Sequence, residues 1–308
     1  MSDLSDLAKL EYVARVDRAI DHIVGNPRRS HRLEYVARVA GFSPFHFHRI
    51  FKGIVGETLG NFVKRVRLER ALYLLAHREG TSLTAIAFAC GFSSSSDFSR
   101  SFRAHHGVSP RNFDIDAFRK TRRHELQASG PLDPFHRLER LAVGENPDGF
   151  SVRLREVPPR RVAYLRVFRP FEGGRVPDAA RRLVGWARRR GLAGAQWLGY
   201  MWEDPEIVAL DKCRYDVAVE VPAHTRGEAD VGTADFAAMK LAEVDVVGDL
   251  ALEQRALDWL YLTWLPRSGF APDHQPCFEA WNGEPFALGS SRFELRVQLP
   301  VVSASEPL

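Results

Sequence analysis

The sequence predicts two parts of different fold class: an all-α double helix-turn-helix part, then an α+β domain with a mainly antiparallel sheet. Three observations carry this. LEYVARVAGFS (33–43) returns as LTAIAFACGFS (83–93), shifted by 50, and GETLGNF (56–62) returns as GVSPRNF (107–113), shifted by 51. Charge divides within a 308-residue chain of net +4: residues 1–124 hold 21 Lys and Arg against 12 Asp and Glu, net +9, and the remainder holds 22 against 27, net −5. After about residue 150, apolar residues alternate in short runs instead of recurring every third or fourth position.

The front elements follow in order. Apolar residues at 12, 13, 16, 20, 23 and 24 predict a helix over 12–24, and 33–40 a second one ended by Gly41. Ser43-Pro44 is N-cap and N1 chemistry for a third helix, closed by Gly56. A long helix over 59–77 carries Leu59, Phe62, Val63, Val66, Leu72 and Leu75 on its apolar side. The cycle then repeats: 83–90 ends at Gly91, Ser93 or Ser94 caps the next helix, Ser94-x-x-Asp97 resembles a capping box, and Gly107 closes it. Each copy is helix, glycine turn, helix. The basic run 119–126 precedes a Pro-, Gly- and Asp-rich linker with a short helix expected near 135–141.

In the back part, strands are expected at 151–156, 162–168, 197–202, 215–221, 236–241, 277–281 and 293–299, with helices near 178–190 and 250–263. The order is strand, helix, strand, strand, stated twice. The expected divisions are 8–122, a linker over 123–149, and 150–303.

In the third helix Phe47, Phe51 and Ile54 form the buried stripe, which turns Phe45, His46, His48, Arg49 and Lys52 outward. In its repeat Phe98 and Phe102 are buried, and Ser95, Ser96, Ser99, Arg100 and Arg103 face out; Arg111 follows. Donor-rich side chains on an exposed second helix suit the major groove. One such face alone also fits an ordinary solvated surface. Two copies joined by a helix of ~27–30 Å, at ~1.5 Å per residue, match two major grooves one DNA turn apart.

Residues 10–120 resemble the AraC/XylS-family DNA-binding domain. The second copy fills the family pattern at Ala87, Gly91, Phe92, Phe98, Arg100, Phe102, Gly107, Pro110 and Phe113. The resemblance places Phe45, His48 and Arg49 at base-facing positions of the first recognition helix, and Ser95, Ser96, Ser99 and Arg100 at those of the second. It implies a sequence-specific transcription regulator that binds double-stranded DNA in adjacent major grooves.

In the back part, alternation through 277–281 sets Cys277, Glu279 and Trp281 on one face. A carboxylate beside Trp is costly if buried unpaired and favourable once a cation arrives. A solvent-exposed Glu279, or one paired with Arg214, is the plain alternative. Residues 150–302 resemble the gyrase-inhibitor-like (GyrI-like) effector-binding domain through CRYD (213–216), WLPRSG (264–269) and FEAW (278–281); residues 231–247 depart most from its pattern. That resemblance implies two strand–helix–strand–strand pseudo-repeats with a ligand cleft between them. Glu279 would lie in an aromatic pocket for a lipophilic cation, with Trp281 in place of the more usual Tyr. The candidate lining is Glu279, Trp281, Tyr164, Phe168, Trp202, Tyr215 and Trp264.

No GxSxG elbow or metal cluster is present in the sequence, so no catalytic residue, metal or cofactor is expected. Glu279 with Tyr164 or Tyr215 as a base–acid pair keeps a hydrolase as the alternative. A ligand-free interaction module, working on RNA polymerase, is another. No run of 18 apolar residues exists, the N-terminus is polar, and Cys90, Cys213 and Cys277 are widely spaced. A cytoplasmic protein without a membrane partner is expected.

Overall fold

Caps and glycines punctuate the front helices where the sequence placed them. The computed structural model describes residues 2–78, 80–129, 141–228, 230–289 and 292–305. Its packing divides the chain into two units, Met1–Arg119 with Gly227–Gly232, and Lys120–Arg226 with Thr233–Pro307.

The first unit holds α1 (Ser2–Val24), α2 (Leu33–Ala40), α3 (Pro44–Val55), α4 (Leu59–His77), α5 (Leu83–Ala89) and α6 (Ser95–His106). α1 starts ten residues earlier than its apolar stripe predicted. Ser43, Thr58, Ser82 and Ser94 each cap a helix by accepting a backbone N–H, and Gly41, Gly56 and Gly107 close helices in the left-handed region. The capping box is half formed. Ser94 accepts from the Asp97 N–H, but the Asp97 carboxylate takes the Ser93 hydroxyl at 3.1 Å. α4 buries Leu68, Ala71 and Leu74 as well as the predicted stripe, leaving Val63 and Leu75 half-buried. It packs on α3 and also on α5 and α6, so one apolar side was too few. α7 (Ile115–Ser129) contains the basic run and crosses the division between the units at Arg119 and Lys120. The helix expected near 135–141 falls, Leu141 apart, outside the described residues.

The second unit is a nine-stranded antiparallel sheet: β1 (Arg153–Val157), β2 (Arg160–Phe168), β3 (Trp197–Met201), β4 (Arg214–Glu220), β5 (Gly232–Phe236), β6 (Met239–Gly248), β7 (Phe270–Pro272), β8 (Cys277–Trp281) and β9 (Phe293–Ser303). The order is β1-β6-β9-β8-β3-β4-β2-β5, with β7 also on β9. The single run predicted at 236–241 is the end of one strand and the start of the next, and β7 was not predicted. α8 (Arg175–Arg188) packs on β2 and β4, and α9 (Leu250–Trp259) on β6 and β9. A π-helical turn, Leu260–Trp264, continues α9 into α10 (Leu265–Ser268).

Register assigns the faces. Tyr164 faces Ala218, Leu198 faces Ala218 and Ala280, and Phe278 faces Gln298. This face carries a closed cluster with Tyr200, Phe236, Met239 and Leu241, to which neither α8 nor α9 contributes. The helices therefore cover the other face, where Val167, Tyr215, Val217, Gly199 and Glu279 lie in register.

Candidate DNA-reading helices and effector cleft

α3 presents Phe45, His46, His48, Arg49 and Lys52 to solvent over buried Phe47 and Phe51; Phe45 is 70% exposed, unusual for its ring. Ile54 is half-buried. On α6, Ser96, Arg100 and Arg103 are exposed and Ser95 and Ser99 half-buried, over buried Phe98 and Phe102. Arg111 is exposed on the 3-10 turn Pro110–Asn112 and shares with Ser99 the lining of a groove of about 660 Å3. The two sets of exposed donors thus sit on the second helix of each repeat, α3 being the bulkier.

In the second unit, α8 lies over one half of the sheet and α9 over the other. β3 and β8 lie between those halves in the strand order. There the Tyr215 hydroxyl donates to Glu279 Oε2. Gly199, opposite Glu279 in register, makes this possible: a Cβ would overlap the Tyr215 hydroxyl and come within 2.7 Å of Glu279 Oε2. Glu279 is half-buried. Burial pushes its carboxyl up to about 7, with hydrogen bonds from Tyr215 and Trp281 pulling partly back. Burial, and then the charge of Glu279, hold the Tyr215 phenol well above its usual range.

A second carboxyl joins from α9. Glu253 is 5% exposed, and burial followed by the charge of Glu279 raises it well above the carboxylate range. Among the described residues its carboxylate receives no side-chain hydrogen bond. Burial first, then Glu253 and Glu279, also push the Cys277 thiol up. Two carboxyls, one on β8 and one on α9, are thus both held toward the protonated form by burial.

The predicted lining separates. Glu279, Trp281 and Tyr215 come together. Tyr164 and Trp202 join the cluster on the opposite face, and Phe168 pairs in register with Arg214 there. Strand alternation is the reason: Val167, not Phe168, stands beside Tyr215. Trp264 stacks on Phe270, centroids 6.1 Å apart. Arg214 is engaged by buried Glu203, not by Glu279. Sequence reasoning missed Gly199 and Glu253. A lone glycine inside a strand marks close approach, and an acid on the buried stripe Glu253, Ala256, Leu260 is a second signal.

Gly199→Ala is expected to separate Tyr215 from Glu279 and to cost about 1–3 kcal/mol, the usual range for overpacking. Urea denaturation measures it, and wild-type stability in the variant would contradict the close approach.

Paired helix-turn-helix repeats with donor-rich second helices, followed by an antiparallel sheet whose β8 and packed α9 each carry a carboxyl raised by burial, are the architecture of a DNA-binding domain joined to an α+β domain. Residues 36–114 match the family described as a helix-turn-helix domain, and residues 150–302 the GyrI-like small molecule binding domain. An HTH-type transcriptional regulator of Mycobacterium tuberculosis is 38% identical over 89 residues, 29% of this chain and 34% of that protein. The chain thus spans about a third of that relative's length. A DNA gyrase inhibitor of Edwardsiella ictaluri is 32% identical over 159 residues, 49% of this chain and 97% of that protein. A solved AraC-type transcriptional regulator from Chromobacterium violaceum is 30% identical, covering 32% of this chain and 86% of that one, with a TM-score of 0.30. The chain belongs to the GyrI-like family, its GyrI-like domain preceded by an AraC-type helix-turn-helix domain.

Proposed function

We propose that the chain is a sequence-specific transcription regulator of the cytoplasm that reads adjacent major grooves with α3 and α6 and is controlled by a small aromatic cation in the α8–α9 cleft. The Glu279–Tyr215 pair on the cleft floor carries the effector reading: a half-buried carboxyl, held near 7 by burial, gains most from a cationic partner. Phenyltrimethylammonium and its neutral isostere tert-butylbenzene separate charge from shape. The cation is expected to raise the melting temperature in proportion to the logarithm of its concentration, by mass action. Equal shifts from both compounds would sink the cationic reading. No described helix is long and apolar enough to cross a membrane.

For DNA, α3 is assigned the larger share of specificity, because its exposed set is bulkier and more basic than the serines of α6. Arg49→Ala is expected to weaken binding to a selected site by about 1–3 kcal/mol, the scale of one base contact, and Arg100→Ala by less. Titration by fluorescence anisotropy decides it, and equal losses or a larger one at Arg100 overturn the ranking. Affinity should also fall steeply with salt as phosphate contacts release counterions.

The hydrogen bond between Tyr215 and Glu279 also supports a second reading, hydrolysis of an electrophile with Glu279 as base. Turnover of an activated ester that disappears in Glu279→Gln would establish it. The gyrase-inhibitor relative brings in a protein partner, as does contact with RNA polymerase. Inhibition of gyrase supercoiling by the chain would favour that interaction role over ligand sensing.

A further inference from the structure

The two helix-turn-helix units each follow a long helix that aims an arginine at the turn glycine. In the first, Arg15 of α1 donates from Nε to Ala40 O at 3.0 Å, and its guanidinium lies 3.8 Å over the Phe42 ring. The three atoms nearest a Cβ on Gly41 would all belong to that side chain, Arg15 Nη2 first at 3.1 Å. This arginine serves its own unit.

Arg67 of α4 meets the Gly91 turn as Arg15 meets that of Gly41, and does something else. Its Nε donates to Pro27 O and its Nη2 to Arg29 O, both at 3.0 Å. These are carbonyls of the α1–α2 loop, in the first helix-turn-helix repeat. The same loop lies flush on the turn of the second. A Cβ on Gly91 would come 2.5 Å from Pro27 O and 2.9 Å from Arg28 Cα, with Arg67 Nε at 3.1 Å. Gly91 is therefore required twice, for its φ of +83° and for backbone of the first repeat against it. The loop has little freedom of its own. Gly25 N–H is held by Asp21 O, Asn26 Nδ2 by His22 O and Arg29 N–H by Asn26 O, and His31 Nε2 contacts Asn26 O at 2.9 Å.

We infer that Arg67, bridging the Pro27–Arg29 loop and the Gly91 turn, is a positioning residue that fixes the separation and phase of α3 and α6 and so sets the half-site spacing the chain accepts on DNA. Through α4 alone the two reading helices would share one flexible rod. The latch adds a second connection, and two connections remove bending and twisting between the units. The inference rests on the assignment of α3 and α6 as the reading helices.

The test uses the full chain and a site that the wild type selects from random-sequence duplex DNA. The two half-sites are then moved by one or two base pairs in either direction; each base pair adds about 34° and about 3.4 Å. The wild type is expected to show one optimum with a loss of about tenfold or more one base pair away, the scale of a lost base contact. Arg67→Met keeps the stem and removes the donors, and should flatten the profile to within about threefold, the scale of a mostly retained contact set. Arg15→Met removes the counterpart that serves only its own unit and should keep the sharp profile. An Arg67→Met profile lowered uniformly but still sharp overturns the inference, as does equal flattening by Arg15→Met. Should the Met variant melt below the assay temperature, Arg67→Lys, which loses the fork but keeps the charge, replaces it. Intermediate flattening supports the latch, and a wild-type profile overturns it. A wild-type chain that selects no site sinks the DNA-reading assignment and the latch together, whereas a selected site with an unchanged Arg67→Met profile sinks the latch alone.

Discussion

Glu279→Gln is expected to abolish the preference of the cleft for a cation over its neutral isostere, with a loss of about tenfold to a hundredfold in cation affinity at pH 8, on the scale of a desolvated charge contact. The pH dependence gives a sharper signature. With the free carboxyl near 7, cation affinity in the wild type should rise from pH 6 to pH 8 as the carboxylate forms, and proton release should accompany binding over the same rise and cease above it. In Glu279→Gln the residual affinity should be flat. Stability runs the opposite way in the ligand-free protein. A carboxyl whose folded value lies above its unfolded value favours the fold at low pH. That advantage is lost as pH rises from the unfolded value, ~4.5, through about 7. Glu253, raised in the same direction, adds to the slope. The wild type should thus melt lower at pH 8 than at pH 5 at this site, and Glu279→Gln should reduce the difference. Calorimetry with and without the cation checks both. A variant that still discriminates charge from shape would remove Glu279 from the site.

Arg123→Ala is expected to destabilise the second unit by about 3–5 kcal/mol, the cost of leaving buried charge unpaired. Arg123, on the later turns of α7, forms a two-pronged pair with Asp258 of α9 at 2.8 and 2.7 Å and also donates to Glu206 at 2.8 Å. All three side chains are largely shielded from water. Salt should change the loss little, since buried pairs are poorly screened. The double change Arg123→Met with Asp258→Leu should recover only part of it: apolar groups replace the pair at small cost, while Glu206 and the Leu141 N–H lose their contacts. Urea denaturation of the single and double variants decides between this and a surface pair, for which the single change would cost under about 1 kcal/mol. Asp258 lies on the same helix as Glu253 and also accepts the Leu141 N–H at 3.3 Å. The helix that walls the cleft is thus the one to which the chain leaving α7 is fastened.

In the front part the ends of α2 to α6 were legible to about a residue, while the start of α1 and the second buried side of α4 were not. Ser-Pro, Thr and Ser caps, and glycines that alone tolerate the left-handed region, mark ends by local chemistry, and α3, α4 and α6 carry those marks. β5 and β6 merged in the sequence because Ala237-Ala238 carries no turn chemistry. β7 is three residues of Phe-Ala-Pro, too short for a period. The π turn of Leu260–Trp264 adds no compositional sign, since one extra residue in a turn changes hydrogen bonding and not residue type. At the cleft, Cys277, Glu279 and Trp281 were found because alternation within one strand is local. Tyr164 and Trp202 were misplaced relative to them because facing is set by register between strands far apart in sequence. That information lies in pairs such as Val167 with Tyr215, not in any one run.

With α3 and α6 as the proposed reading helices, their inequality would give a bound duplex a direction. A symmetric dimer reads a palindrome and looks the same from either strand. One chain that carries Phe45, His48 and Arg49 at one end and Ser96 and Arg100 at the other does not. Sites bound by one such chain should align in a single strand sense and need no inverted repeat. Turning such a site around in front of a promoter is then a different instruction, written with the same base pairs.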